Sequence, residues 1–112
     1  MKSTQRPRAL RKPFVAAIVI TDVLSERQIS ARTSNLSVHG CFVPTPSPLK
    51  LGAKVQITIV HAGAKVTASG RVASNREDGM GIAFHKLEPH DEAVLEQWLS
   101  ELRTTSIREP LA

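Results

Sequence analysis

Apolar and polar residues alternate along most of the chain, and the period changes once, near Pro89. Successive side chains of a strand point to opposite faces, so an alternating stretch marks a half-buried strand. Between Lys54 and His61, Val55, Ile57 and Ile59 alternate with Lys54, Gln56 and Thr58. From Ala64 to Ser74, Val66, Ala68 and Val72 share one face, while Lys65, Thr67, Ser69 and Arg71 share the other. Met80, Ile82 and Phe84 form the inward face of a last strand. Earlier, residues 14 to 21 form another strand candidate, in which the run from Phe14 to Ile20 is apolar and largely β-branched, bounded by Pro13 and Asp22. Gln28 to Ser34 follows after a polar turn at Ser25-Glu26-Arg27, and residues 41 to 45 give a short third strand closed by Pro44, Pro46 and Pro48. Ala62-Gly63 and Glu77-Asp78-Gly79 are turn signals between the later strands. Six short antiparallel strands at this spacing predict an all-β closed barrel, because closure removes the exposed edges of a small sheet.

The last part of the pattern is helical. Val94, Leu95, Trp98, Leu99 and Leu102 make one apolar stripe on an otherwise polar segment. Pro89 suits a first helical turn, Asp91 and Glu92 complement the positive end of the helix dipole, and Arg103 complements the other. The spacing predicts a C-terminal α-helix packed on the mouth or side of the barrel by that stripe. The expected organisation is a flexible basic arm over residues 1–12, a single barrel-plus-helix domain over 13–103, and a disordered tail over 104–112.

Composition narrows the function. The 112 residues are 41% hydrophobic and 22% charged, ordinary for a globular domain. The single Cys41 excludes an intrachain disulfide, and with His39, His61, His85 and His90 it shows no metal-ligand spacing. The run from Phe14 to Ile20 follows a basic stretch but is too short for a signal peptide and has no small-x-small site after it. It reads as a strand, and the expected location is the cytoplasm. The net charge of +5 is unevenly placed. Lys2, Arg6, Arg8, Arg11 and Lys12 stand among the first 12 residues with no acid, whereas the remaining 100 hold ten basic and ten acidic side chains. The whole excess therefore sits in the arm, which suits phosphate groups.

No constellation supports catalysis. The acids fall in turns and on the helix, and Gly79-Met80-Gly81 precedes a strand, so it is no phosphate-binding loop. Cys41 reads as a small buried hydrophobe. The distinctive segment is Asn35-Leu36-Ser37-Val38-His39-Gly40, an N-x-S-x-x-G pattern at the end of the second strand. Extended backbone would turn Asn35 and Ser37 to one side, where they offer donors and acceptors to a base edge. Gly40 would allow an unusual backbone angle or the close approach of a ligand.

Together with the arm, this pattern resembles the PilZ domain family, in which an arginine motif precedes the first strand and [D/N]-x-S-x-x-G follows. Pro48-Leu49-Lys50-Leu51-Gly52, Gly70-Arg71-Val72, Gly79 to Phe84 and Trp98-Leu99 match further family signals in order, so the resemblance spans residues 6 to 103. It implies a six-stranded antiparallel barrel that binds the bacterial second messenger cyclic di-GMP, with no metal or other cofactor. It also implies an output in motility, exopolysaccharide synthesis or type IV pili through a protein partner. Asn35, Ser37 and Gly40 match the second motif, and Arg6, Arg8, Arg11 and Lys12 stand for the first. The R-x-x-x-R spacing is not kept: in register with the first strand, Arg11 takes the second arginine position and Pro7 the first, with Arg6 or Arg8 standing in. The alternative is a PilZ adaptor that binds no messenger and acts by protein contact alone. Nucleic acid is the weakest candidate, because aromatic residues are 4% of the chain and two of Phe14, Phe42 and Phe84 read as core. No stacking platform is expected.

Overall fold

The structure is a computed structural model that describes the backbone of residues 12–108 and the side chains of residues 13–101. Its elements are β1 (Lys12–Pro13), β2 (Ala17–Asp22), β3 (Gln28–Arg32), β4 (Asn35–Ser37), β5 (Gly40–Pro44), β6 (Lys54–His61), β7 (Ala64–Arg76), β8 (Gly79–Leu87) and α1 (Pro89–Arg108). The strands form one antiparallel sheet in the order β1-β4-β5-β8-β7-β6-β2-β3. β1 and β2 are two parts of one run of chain, and β3 and β4 are two parts of the next. Between them the Phe14 N–H donates to the Ser34 carbonyl at 3.2 Å and the Thr33 N–H to the Ala16 carbonyl at 2.9 Å. The two ends of the sheet order are thus joined through the chain, and the pairings close into a ring of six runs. The expected six strands are these runs. Eight segments appear because the first two runs bend where Thr33 inserts its side chain, donating to the Phe14 carbonyl at 2.6 Å and accepting from the Ala16 N–H at 3.1 Å.

The alternation seen in the sequence becomes burial. Ile18, Ile20, Val55, Ile57, Ile59, Val66, Val72 and Ile82 are fully enclosed, each contributing about 1.5–3 kcal/mol of transfer free energy. Cys41 lies in the same core. Phe84 is only half-buried, unlike Met80 and Ile82. The register between β7 and β8 shifts at Ser69/Gly70 and again at Val72/Ser74, and Phe84 pairs with Gly70 beside the first shift. Ala62 and Gly63, at φ 52° and 80°, both take left-handed backbone in the β6–β7 hairpin turn.

The helix packs on the β7 side of the barrel. Asp91 accepts from the Thr67 N–H at 3.3 Å and from its hydroxyl at 3.4 Å, and Leu95 and Trp98 belong to the barrel core. The Trp98 ring lies 5.8 Å from Phe14 and 5.3 Å from His61, so His61 joins an aromatic cluster. The helix backbone runs to Arg108, past the Thr104 at which the tail was expected to begin. Once started, a helix gains a backbone hydrogen bond with every added residue and can outrun its apolar stripe. The rest of the tail, and the arm up to Arg11, lie outside the described residues.

Candidate functional site

The N-x-S-x-x-G segment forms β4, a tight turn and the start of β5. Leu36 points inward and is fully buried, which sends Asn35 to the outer wall. Ser37 is 3% exposed, and its hydroxyl accepts from the His39 N–H at 3.1 Å and donates to the Gly40 carbonyl at 3.5 Å. The hydroxyl thus closes the turn. Gly40 does not take positive φ. Its requirement is space: a Cβ there would collide with the Ile82 carbonyl oxygen of β8. The unusual backbone angle expected at this glycine is replaced by close contact between strands.

Asn35 carries the unexplained chemistry. Its Oδ1 is buried, and no described residue donates to it. Leaving such an acceptor unmet costs about 1–3 kcal/mol. The same residue pairs with Pro13, and Leu36 pairs with Lys12, so the root of the basic arm is tied to the motif strand. The structure therefore brings together the motif and the point from which the arm departs. Arg6, Arg8, Arg11 and the Lys12 side chain lie outside what is described.

Two further residues join the outer wall here, and sequence reasoning missed both. Phe42 pairs with Asn35 across the β4–β5 ladder, and residues directly opposite share a face. The Arg76 guanidinium carbon lies 5.4 Å from the Phe42 ring centroid. Phe42 is thus a half-buried aromatic ring on this wall, with Arg76 over it. Phe42 sits between Cys41 and Val43, and three consecutive apolar residues conceal which one faces out.

Two hollows flank these elements. One of about 670 Å³ adjoins the motif strand and is lined by Val15, Arg32, Ser34 and Thr45, among others. Another of about 870 Å³ lies at the far end of the β2–β3 hairpin, lined by Leu24, Arg27 and the segment from Pro48 to Gly52, among others, and includes no residue of the N-x-S-x-x-G motif.

The molecule is a six-run antiparallel barrel with a packed C-terminal helix, and its N-x-S-x-x-G strand is paired with the root of the basic arm at Lys12 and Pro13. The family follows from the sequence: the PilZ domain model matches residues 4–101, and the chain belongs to the PilZ domain family. No curated protein matches it. Among solved structures, the Bacillus subtilis inhibitor of motility MotI/DgrA superposes with a TM-score of 0.74 at 18% identity, over 94% of this chain and 55% of that one. YcgR from Escherichia coli, solved in complex with c-di-GMP, gives 0.74 at 18% identity over 95% of this chain and 50% of that one. The PilZ domain of CeSA from a cellulose-synthesizing bacterium gives 0.67 at 17% identity, over 84% of this chain and 98% of that one. The chain thus spans about half the length of MotI and of YcgR. These likenesses are likenesses of fold.

Proposed function

We propose that the protein is a non-catalytic cyclic di-GMP receptor that acts in the cytoplasm by contact with a protein partner. The observation that carries this reading is the buried, unmet Oδ1 of Asn35 at the place where Lys12 and Pro13 tie the basic arm to the motif strand. Cyclic di-GMP has two guanines and two phosphodiester charges. A guanine presents N–H donors that answer an orphaned amide oxygen, and O6 and N7 acceptors that an arginine fork can take. Arg11, the residue next to Lys12, is the first arginine available to the phosphates or to that edge. Family membership and the c-di-GMP carried by YcgR support the same ligand. Folding the arm onto the ligand costs conformational entropy, and the same ordering makes binding a switch that reshapes the surface. An output in motility, exopolysaccharide synthesis or type IV pili belongs to this proposal.

Calorimetric titration with cyclic di-GMP, with GTP and cyclic di-AMP as controls, tests it. The expected result is saturable, guanine-selective binding, weakened by about 1.5–3 kcal/mol in Arg11→Ala through the loss of a charge-assisted bond. The second reading, an adaptor that binds no messenger, is favoured by one observation: Pro7 stands where the arginine motif has its first arginine. Absence of heat in the wild-type protein would overturn the receptor reading and turn the search to protein partners.

A further inference from the structure

The outer wall beside Asn35 has a specific construction. Asn35 faces Phe42, Phe42 faces Gly81, and Gly81 faces Ser74 across successive ladders. Two positions along, Pro44 faces Gly79 and Gly79 faces Arg76. β8 thus contributes two positions without side chains between the Asn35–Phe42 side and the Ser74–Arg76 side. A Cβ on Gly79 would stand 2.7 Å from Cζ of Phe42, so the ring lies across this bare stretch of strand. A Cβ on Gly81 would stand 2.5 Å from the Ser74 hydroxyl oxygen, which accepts the Gly81 N–H at 3.1 Å. The Arg76 guanidinium is laid over the Phe42 ring, where the negative face of the ring attracts it. Its other contact is a 3.9 Å ion pair with Asp78, whose side chain is 76% exposed against 63% for Arg76. An exposed pair at that distance holds the guanidinium weakly and leaves its outer face and donors available.

We infer that Arg76, backed by Phe42, is a stacking subsite for one guanine of the ligand, an inference that rests on the receptor reading above. A guanidinium is planar and delocalised, and it accepts an aromatic ring on each face. Phe42 occupies one face, and a purine is the flat, electron-rich partner that suits the other. Asn35 lies on the same wall, one strand spacing from Phe42, to take a donor from the base edge. The subsite also answers the departure at Pro7, because Arg76 supplies from the rigid wall a guanidinium that the arm does not hold in register.

The test is calorimetry with cyclic di-GMP on the wild-type protein, Arg76→Ala and Arg76→Lys, with thermal melts of all three. Loss of one stacked base corresponds to a weakening of roughly 5- to 150-fold. Arg76→Ala is expected to show a loss of that size with an unchanged melting temperature, since its side chain is exposed. Arg76→Lys keeps the charge and loses the plane, so it is expected to bind as weakly as the alanine variant. Wild-type affinity in either variant overturns the stacking subsite and leaves the receptor reading standing. No binding by the wild-type protein overturns the receptor reading, and the subsite with it.

Discussion

Thr33 holds the bend on which closure of the barrel depends. It is 2% exposed, and its hydroxyl serves the Phe14 carbonyl and the Ala16 N–H together. Thr33→Val keeps the shape and orphans both backbone groups, so a loss of about 1–3 kcal/mol for each group is expected in urea unfolding. Ser37 and Gly40 carry a different lesson. Their residue types were legible as a motif, but their present roles depend on neighbours the sequence does not order in space. Ser37→Ala removes the turn bond to the His39 N–H and is expected to lower stability by about 1 kcal/mol. Gly40→Ala drives a methyl group into the Ile82 carbonyl, at a cost of about 1–3 kcal/mol from overpacking. Denaturant midpoints check both. If Ser37→Ala kept its midpoint and lost cyclic di-GMP, the hydroxyl would belong to the ligand rather than to the turn.

At the scale of elements, period-two burial made β6 and β7 legible nearly to their ends, because Val55, Ile57 and Ile59 line one face of β6 and Val66, Ala68 and Val72 one face of β7. The first two runs were legible as strands but not as bent ones, since the bend comes from a side-chain hydrogen bond between residues 19 apart in the chain. The helix was legible from its stripe. Its docking was not, because Asp91 meets Thr67 and Trp98 meets Phe14 and His61 only in the folded chain. Trp98 is 5% exposed and fills the junction between α1, β6 and the start of the first run. Trp98→Ala should cost about 3–5 kcal/mol. Amide exchange should then rise along α1 before it rises in the β6–β7 ladder. Equal protection of the helix in the variant and the parent would show that α1 is held by other contacts.

For the whole molecule, charge and core are separated along the chain. The buried apolar residues run from Phe14 to Trp98, whereas the entire charge excess lies in residues 1–12. Removing residues 1–11 deletes Lys2, Arg6, Arg8 and Arg11 and takes the formal charge from +5 to +1. The shortened protein is expected to keep its melting temperature and lose cyclic di-GMP binding, read by calorimetry and thermal melting. The parent's affinity should fall as salt rises, because arm and ligand attract as screened opposite charges. An affinity indifferent to both truncation and salt would place the ligand wholly on the barrel wall.

The sequence by itself determined the strands, the terminal helix, the barrel class and the motif with its basic arm. Each of these is written in local order: period, turn chemistry, spacing and charge density. The tertiary structure alone decided that Ser37 and Gly40 serve the turn and the approach of strands, that Asn35 keeps an unmet buried oxygen, and that Phe42 lies outward under Arg76. Those outcomes depend on register between strands distant in the chain. A register is the joint result of many side chains packing at once, so no single segment encodes it.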